Sequence, residues 1–283
     1  MTKRVLLLGC GDLGLRTARV LQARGYSVTG ARRSVGQLPG DLDALALDVT
    51  DRDSFDVIQK IQWDAIIVSL TARGEAAYRQ VYVEGTRNLI HALHRSSQTP
   101  YIIFVSSTSI YHQSDGEVVN EYSSTEPTGF SGLAMKDAES LLRDSGFVTS
   151  AVRFSGIYGA SHGGSQARGG HLLSVLREGR IAPEKPMRFS NRVHIEDCVG
   201  ILSFLIDRHF SGRDVSPVYL GSDGDPANLH EVMCYLAGME NIDVEQLQTD
   251  YLPARGGNKR CQGVLLAEQG YTYRYPSYRA GYA

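Results

Sequence analysis

A glycine-rich motif close to the first residue constrains the fold of this chain most strongly. The motif has the spacing G-x-G-x-x-G, and its residues are Gly9, Cys10, Gly11, Asp12, Leu13 and Gly14. An apolar stretch at residues 5–8 precedes it, and residues 13–24, with apolar side chains at helical spacing, follow it. In this context the glycines permit a tight turn and let a pyrophosphate approach the helix N-terminus closely. The sequence therefore predicts a dinucleotide-binding loop; the alternative is a glycine-rich turn without a ligand.

The first half of the chain alternates short apolar stretches with segments of helical periodicity. Strands are predicted at residues 5–8, 26–29, 44–47, 65–70, 101–106 and 148–154, and helices at 13–24, 75–95 and 134–143. Apolar strands separated by helices are typical of a parallel sheet covered on both faces. The predicted fold class is α/β, with a Rossmann doubly wound parallel sheet and a smaller C-terminal substrate lobe.

The pattern becomes less regular after residue 158. Residues 159–170 are rich in glycine and serine and are predicted to form a mobile flap near the substrate. A helix at 195–207 and a strand at 217–220 are predicted to return to the first domain. The predicted domains are a Rossmann dinucleotide-binding domain (1–158 plus 191–222) and a substrate-binding lobe (159–190 plus 223–283).

The residues after the second predicted strand bear on the choice of dinucleotide. An NAD site usually has Asp or Glu about 20 residues after the glycine motif, where the carboxylate binds the ribose 2′-hydroxyl. No acidic residue lies between Asp12 and Asp41, whereas Arg32 and Arg33 follow the strand. Guanidinium groups suit a 2′-phosphate, so NADP(H) is preferred and NAD(H) stays possible; two solvated arginines are the alternative. The residues predicted to lie beside the adenine ring are Asp48 and Val49.

Composition and charge argue against several other classes of protein. The formal net charge of -2 gives no reason to expect a nucleic-acid or membrane partner. No apolar stretch approaches the ~18 residues that a membrane span needs, and the early glycines interrupt any signal peptide. The cysteines (Cys10, Cys198, Cys234 and Cys261) are scattered, without the spacing of a zinc site or a disulfide framework. We therefore expect a cytoplasmic protein with no bound metal and a small-molecule substrate.

Four further motifs follow the glycine loop. They are VEGTRN at 83–88, FVSSTSIY at 104–111, RFSGIYG at 153–159 and VHIED at 193–197. In this order they resemble the extended short-chain dehydrogenase/reductase superfamily of NAD-dependent epimerases and dehydratases. The resemblance covers nearly the whole chain, although the family usually has G-x-x-G-x-x-G in the first loop. It implies a homodimer through the helices at 75–95 and 134–143, and a small polar or nucleotide-sugar-like substrate.

The catalytic set of this family is only partly present. By resemblance, Ser107 matches the residue that hydrogen-bonds a substrate oxygen, and Lys136 matches the lysine that holds the nicotinamide ribose. The family's tyrosine, four residues before that lysine, is replaced by Gly132. That tyrosine normally exchanges a proton while hydride moves to or from the nicotinamide. The chain thus resembles an atypical branch, in which Tyr111, Tyr82 or a bound water would replace the phenol; for Tyr82 the alternative is a packed helix residue.

Two groups of residues in the second half are candidates for substrate contact. Asn191, Arg192 and His194 are predicted to bind a polar or anionic substrate, with a structural role as the alternative for the histidine. Lys259 and Arg260 are predicted to form either a second anion contact or a solvated surface pair.

Two functional hypotheses follow from these residues. The first is an NADP(H)-dependent oxidoreductase or epimerase/dehydratase-like enzyme that uses Ser107 and Lys136. The second is a catalytically inactive dinucleotide-binding sensor or scaffold, in which the absence of the tyrosine reflects a loss of catalytic activity.

Overall fold

The computed structural model describes residues 2–160, 171–252 and 257–283. The strands are β1 (Arg4–Leu8), β2 (Ser27–Arg32), β3 (Asp43–Ala46), β4 (Ala65–Val68), β5 (Tyr101–Ser107), β6 (Glu117–Val119), β7 (Thr149–Phe154), β8 (Gly156–Tyr158), β9 (Arg180–Ile181), β10 (Phe189–Ser190), β11 (Arg192–His194), β12 (Val218–Gly221), β13 (Ala227–Asn228), β14 (Gln248–Thr249) and β15 (Lys259–Cys261). The α-helices are α1 (Asp12–Ala23), α2 (Asp56–Gln59), α3 (Glu75–Tyr78), α4 (Gly85–Arg95), α5 (Phe130–Arg143), α6 (His171–Arg177), α7 (Ile195–Phe210), α8 (Leu229–Met239), α9 (Leu265–Glu268) and α10 (Tyr278–Tyr282).

Seven strands of the described chain form one sheet in the order β12-β7-β5-β4-β1-β2-β3. β1 pairs in parallel with β2 on one side and β4 on the other, and β3 and β5 extend the sheet in parallel. The strand order therefore reverses at β1, as in doubly wound sheets, which bind ligands at the carboxyl ends of the strands beside this reversal. The predicted Rossmann-type sheet is confirmed.

The centre of this sheet is buried on both faces. Leu6 and Leu7 point to opposite sides of β1, and both are fully buried. One face packs against apolar side chains of the helices, including Leu89 of α4 and Leu142 of α5. This burial stabilises the strands from which the loops of the candidate site extend. No helix of the described chain is long and apolar enough to cross a membrane.

Three predicted elements differ from the observed ones in ways that affect the site. β2 continues to Arg32, three residues beyond the predicted end, so this arginine terminates a strand. The helix predicted at 75–95 is α3 and α4 joined by a π-helical segment, Arg79–Glu84. α5 begins at Phe130, which places Gly132 inside the helix. The low helix propensity of the serine at position 131 and the glycine at position 132 explains why this first turn was not predicted.

The chain divides into two compact units. The first comprises Met1–Ile110, Pro127–Arg153 and Val199–Tyr219, and the second comprises Tyr111–Glu126, Phe154–Cys198 and Leu220–Ala283. Four segments of the predicted first domain therefore lie in the second unit, namely 111–126, 154–158, 191–198 and 220–222. The first of these includes β6, which pairs in parallel with β15. Of the predicted flap at 159–170, all but Gly159 and Ala160 lies outside the described residues.

Lys259 and Arg260 of β15 are structural residues of the second unit. The Lys259 side chain is 1% exposed, and its amine donates a hydrogen bond to the Tyr111 carbonyl at 3.3 Å. Burial lowers the pKa of this amine. Arg260 Nε donates to the Gly116 carbonyl at 2.8 Å, and its guanidinium lies over the Phe189 ring. The alternative of a solvated pair was therefore wrong for Lys259, which is buried, and the second anion contact stays a prediction.

Candidate dinucleotide site and the turn after the fifth strand

The loop after β1 is closely packed at two of its glycines. Gly9 has a φ of +87°, and a Cβ atom there would lie 2.5 Å from the Ser69 carbonyl oxygen. Its N–H donates to the Ala31 carbonyl at 2.9 Å, which ties the loop to the end of β2. A Cβ on Gly14 would lie 3.2 Å from the Gly9 carbonyl oxygen, so α1 packs closely on the loop. Glycine is required at position 9 by both its backbone conformation and its contacts.

The second glycine of the motif, Gly11, faces open space. A Cβ atom on Gly11 would meet no atom within 4 Å. Gly11 is also the N-cap of α1, and its side of the helix end has no side-chain cap hydrogen bond. A helix N-terminus with free N–H groups and an accessible backbone suits a phosphate group. The crowded and open glycines together make this loop fit the pyrophosphate of a dinucleotide.

The acidic side chain next to the glycine loop is paired with a basic one. Asp12, the first residue of α1, accepts a hydrogen bond from Arg16 Nε at 2.9 Å. Leu13 is buried and packs inward. Burial of the Cys10 thiol raises its pKa to about 11, so it behaves as a small packing residue.

Arg32 and Arg33 occupy different environments at the end of β2. Arg32 is half-buried, and its Nη2 donates to the side-chain carbonyl of Gln37. Arg33 is exposed. The Asp48 carboxylate is partly buried, which raises its pKa, but hydrogen bonds from Thr50 and the charge of Arg33 hold that pKa below its usual value. Both guanidiniums therefore lie on the first unit at the strand end where the sequence predicted a 2′-phosphate.

The VEGTRN motif holds the loop after β3. From the sequence alone, no structural role could be assigned to this motif. Asn88 donates its side-chain amide to the Val49 carbonyl at 3.0 Å. A Cβ on Gly85 would lie 3.2 Å from Val49 Cβ, so α4 approaches this loop closely. The Asp48 carboxylate accepts from both the N–H and the hydroxyl of Thr50, at 3.0 and 2.8 Å. Position 49 is thus fixed next to the predicted adenine site, while Asp48 stabilises its own turn.

The helix position of the missing tyrosine is filled by backbone. Gly132 lies one turn before the half-buried Lys136 on α5. A Cβ on Gly132 would lie 2.4 Å from the Ser109 carbonyl oxygen and 2.5 Å from Pro127 Cβ. Ser109 belongs to the turn that begins at Ser107, whose hydroxyl accepts from the Ser109 N–H at 3.1 Å. The first turn of α5 therefore packs directly on the turn that carries Ser107, and no phenol fits there.

Neither predicted replacement for the tyrosine is arranged as a proton donor. Tyr82 is 4% exposed, donates to the Leu70 carbonyl at 3.0 Å, and has its pKa raised by burial. Tyr111 is 3% exposed and donates to the Asn120 carbonyl at 2.8 Å. Since proton exchange with a substrate needs an accessible hydroxyl group, the burial of both side chains favours a packing role for them.

Two of the three predicted substrate residues form hydrogen bonds within the second unit. Asn191 donates to the Lys259 carbonyl at 2.8 Å and accepts from the Cys261 N–H at 2.7 Å, so it joins β15 to the start of β11. His194 Nδ1 accepts from the Glu196 N–H at 3.2 Å at the start of α7. The His194 ring also packs 4.0 Å from that of Tyr275. These hydrogen bonds favour a structural role for the Asn191 amide and for His194 Nδ1, and the assignment of both residues as substrate contacts stays a prediction.

Arg192 and Asp223 are two buried charged residues of the second unit, and the sequence analysis identified only the first of them. Arg192 is 8% exposed and Asp223 is 5% exposed, and Arg192 Nε and Asp223 Oδ2 lack hydrogen-bond partners among the described residues. Burial raises the pKa of Asp223 to about 7, and the charge of Arg192 opposes this shift. The signal that could have identified Asp223 is its place two residues after β12, at the carboxyl end of a sheet strand.

The raised pKa of Asp223 predicts a pH-dependent stability. The folded state binds a proton between the ordinary value of 3.8 and the raised value of about 7. Stability from this group is therefore full below pH ~4 and is lost as the pH rises through ~7, by on the order of 4 kcal/mol. The Asp223→Asn variant, neutral at every pH, should lose this component, as measured by urea unfolding at pH 5 and pH 8. The exposed control Asp115→Asn should keep it; equal pH slopes in all three proteins would contradict the burial of an ionisable Asp223.

Comparisons with known proteins agree with this geometry. The model of the NAD dependent epimerase/dehydratase family matches residues 5–216. Protein YeeZ of Escherichia coli (strain K12) is 26% identical over 290 residues, which cover 97% of this chain and 97% of YeeZ.

Solved structures give the same result for the fold. A protein from Methylobacillus flagellatus, provisionally described as an NAD-dependent epimerase/dehydratase, is 31% identical with a TM-score of 0.80, covering 100% of this chain and 97% of that chain. The enzyme WbmG of Bordetella bronchiseptica, solved in complex with NAD, has a TM-score of 0.80 at 15% identity, covering 99% of this chain and 92% of that chain. At that identity the likeness to WbmG shows the fold alone.

Proposed function

The chain belongs to the NAD-dependent epimerase/dehydratase family, and we propose that it is an NADP(H)-dependent oxidoreductase or epimerase/dehydratase-like enzyme. The proposal rests on the loop after β1, where Gly9 admits no side chain and Gly11 faces open space at the N-terminus of α1. A small polar or nucleotide-sugar-like substrate is proposed from the family resemblance.

The preference for NADP(H) rests on charge at the end of β2. No acidic residue lies between Asp12 and Asp41 to bind a free ribose 2′-hydroxyl. Arg32 and Arg33 offer two guanidiniums for a 2′-phosphate, and Arg32 is already oriented by Gln37. Of the predicted adenine-site residues, Val49 is proposed to pack against the ring.

The chemistry of the bound nicotinamide would be donation or acceptance of hydride. Lys136 is proposed to hold the nicotinamide ribose, and Ser107 to hydrogen-bond a substrate oxygen. Since α5 carries no phenol at Gly132, and Tyr82 and Tyr111 are buried on backbone carbonyls, the remaining predicted proton donor is a bound water. Ser107 is the hydroxyl that we propose orients this water together with the substrate.

The second candidate function is a dinucleotide-binding sensor or scaffold without catalysis. The observation that favours it is the close packing of Gly132 on Ser109 and Pro127, which removes the family's proton donor by filling its place. This candidate shares the cofactor site and differs only in the absence of turnover.

Turnover separates the two candidates. Purified protein with NADPH and a panel of ketones, aldehydes and nucleotide sugars should oxidise NADPH, and Ser107→Ala and Lys136→Ala should each lower kcat/KM at least about 100-fold. The exposed Ser114→Ala and Lys60→Ala are matched controls and should retain wild-type rates. Turnover that survives both site substitutions would reject the proposed roles. Tight NADPH binding without turnover on any substrate would favour the sensor.

The expected homodimer and the cytoplasmic location stay predictions.

A further inference from the structure

A buried polar network joins β5, α5 and β7 directly behind the proposed nicotinamide end of the site. Glu139 of α5 accepts hydrogen bonds from the Ser106 hydroxyl at 2.6 Å, from Arg153 Nε at 3.1 Å and from Arg153 Nη2 at 2.7 Å. All three side chains are more than nine-tenths buried. Both carboxylate oxygens of Glu139 are therefore engaged, one of them twice.

Each end of this network is next to a residue of the proposed site. Ser106 immediately precedes Ser107 on β5. Glu139 lies three residues after Lys136 on α5, a spacing that places two side chains next to each other on a helix. The network thus fixes the position of α5 along β5 close to Lys136. The close packing of Gly132 on Ser109, one turn before Lys136, also fixes the position of α5.

General stability is a weak reason for such a network. Burying two charges costs desolvation that their attraction hardly exceeds, so an apolar pair of similar volume often stabilises a core equally well. A bidentate arginine–carboxylate pair instead adds geometric specificity. We propose that Glu139 is a positioning residue, which sets the height of α5 so that Lys136 reaches the nicotinamide ribose. The role rests on the proposed cofactor.

Two probes separate positioning from folding. NADPH would contact both ends of the site, whereas adenosine 2′,5′-bisphosphate carries only the phosphate and adenine end, near Arg32 and the glycine loop. The double variant Glu139→Leu/Arg153→Met removes both charges without leaving one unpaired, so it should fold. Its Kd for NADPH should rise at least about tenfold, the loss of one charge-assisted hydrogen bond. Its Kd for the bisphosphate should stay within about twofold of wild type, because Arg32 and the loop are unchanged.

Calorimetric titration and urea unfolding of the same samples give the readouts. Lys136→Ala should reproduce the selective loss, and adding it to the double variant should weaken NADPH no further, since both changes act through one contact. Ser106→Ala keeps the ion pair and should cause a smaller selective loss, which provides a readout if the double variant does not fold. An unchanged ratio of the two Kd values would overturn the positioning role, whether both affinities stay at the wild-type level or both fall equally. A wild type that binds neither probe would overturn the proposed cofactor as well.

Discussion

Replacing Gly132 by alanine is expected to lower the free energy of unfolding by about 1–3 kcal/mol, the usual cost of overpacking a close contact. The new Cβ would lie 2.4 Å from the Ser109 carbonyl oxygen and 2.5 Å from Pro127 Cβ. Backbone and a proline ring cannot rotate aside, so α5 has to move away from the turn that carries Ser107. Gly132→Tyr, which recreates the family's Tyr-x-x-x-Lys spacing, should therefore destabilise the fold more and should not raise turnover above that of wild type.

Urea unfolding measures this effect, and α8 offers the matched control. Gly238 is also a helical glycine, but a Cβ there would meet nothing within 4 Å. Gly238→Ala should therefore stabilise the protein by up to about 1 kcal/mol, the ordinary gain in helix propensity. A Gly132→Ala variant as stable as Gly238→Ala would mean that position 132 has room for a side chain. The account of the missing tyrosine would then be wrong.

Alanine substitutions at Gly9 and Gly11 should separate stability from dinucleotide binding. At Gly9 the φ of +87° and the approach to the Ser69 oxygen should together cost about 3 kcal/mol or more, from left-handed strain and overpacking. At Gly11 the backbone is extended and the space is open, so the free energy of unfolding should stay within about 1 kcal/mol of wild type.

At Gly11 the substitution should weaken NADPH binding strongly, although its effect on stability is small. Its new methyl group would occupy the face where the pyrophosphate approaches the N-terminus of α1, and the Kd for NADPH should rise at least about tenfold, the loss of one good hydrogen bond to a charged group. Urea unfolding and calorimetric titration of the two variants give both quantities. A Gly11→Ala protein that binds NADPH as wild type does would show that the loop holds no phosphate.

The sheet and its glycine loop could be predicted because their signals are local. Apolar stretches such as residues 65–68 and 101–104 are short, continuous and separated by helical periodicity, which is the pattern of buried parallel strands. The glycine motif requires only its immediate strand and helix. These features need no knowledge of contacts between distant residues.

The duties of the polar residues could not be predicted in the same way. Asn191 has the appearance of a substrate contact, but its partners are backbone groups of Lys259 and Cys261, nearly 70 residues later. Whether a polar group is used within the fold depends on such distant partners, which no local pattern specifies. Likewise, no sequence pattern indicated that Glu139 accepts hydrogen bonds from Ser106 and Arg153.

Gly132 shows a further limit of sequence reasoning. Its sequence position reveals that the tyrosine is absent, but only the structure shows that Ser109 and Pro127 occupy the space beside it. Absence of a residue and occupation of its place have different consequences, because the second prevents simple restoration.

Calorimetric titration of NADPH and NADH into wild type, Arg32→Asp and the exposed control Arg213→Asp tests the cofactor assignment most directly. Wild type and the control should bind NADPH at least about tenfold more tightly than NADH, because charge-assisted hydrogen bonds contribute about 1.5–3 kcal/mol each. Arg32→Asp should lose this preference, since a carboxylate repels the 2′-phosphate and accepts hydrogen bonds from a 2′-hydroxyl. Equal affinity of wild type for both dinucleotides, or an equal loss of both in Arg32→Asp, would contradict an NADP(H) site at the end of β2.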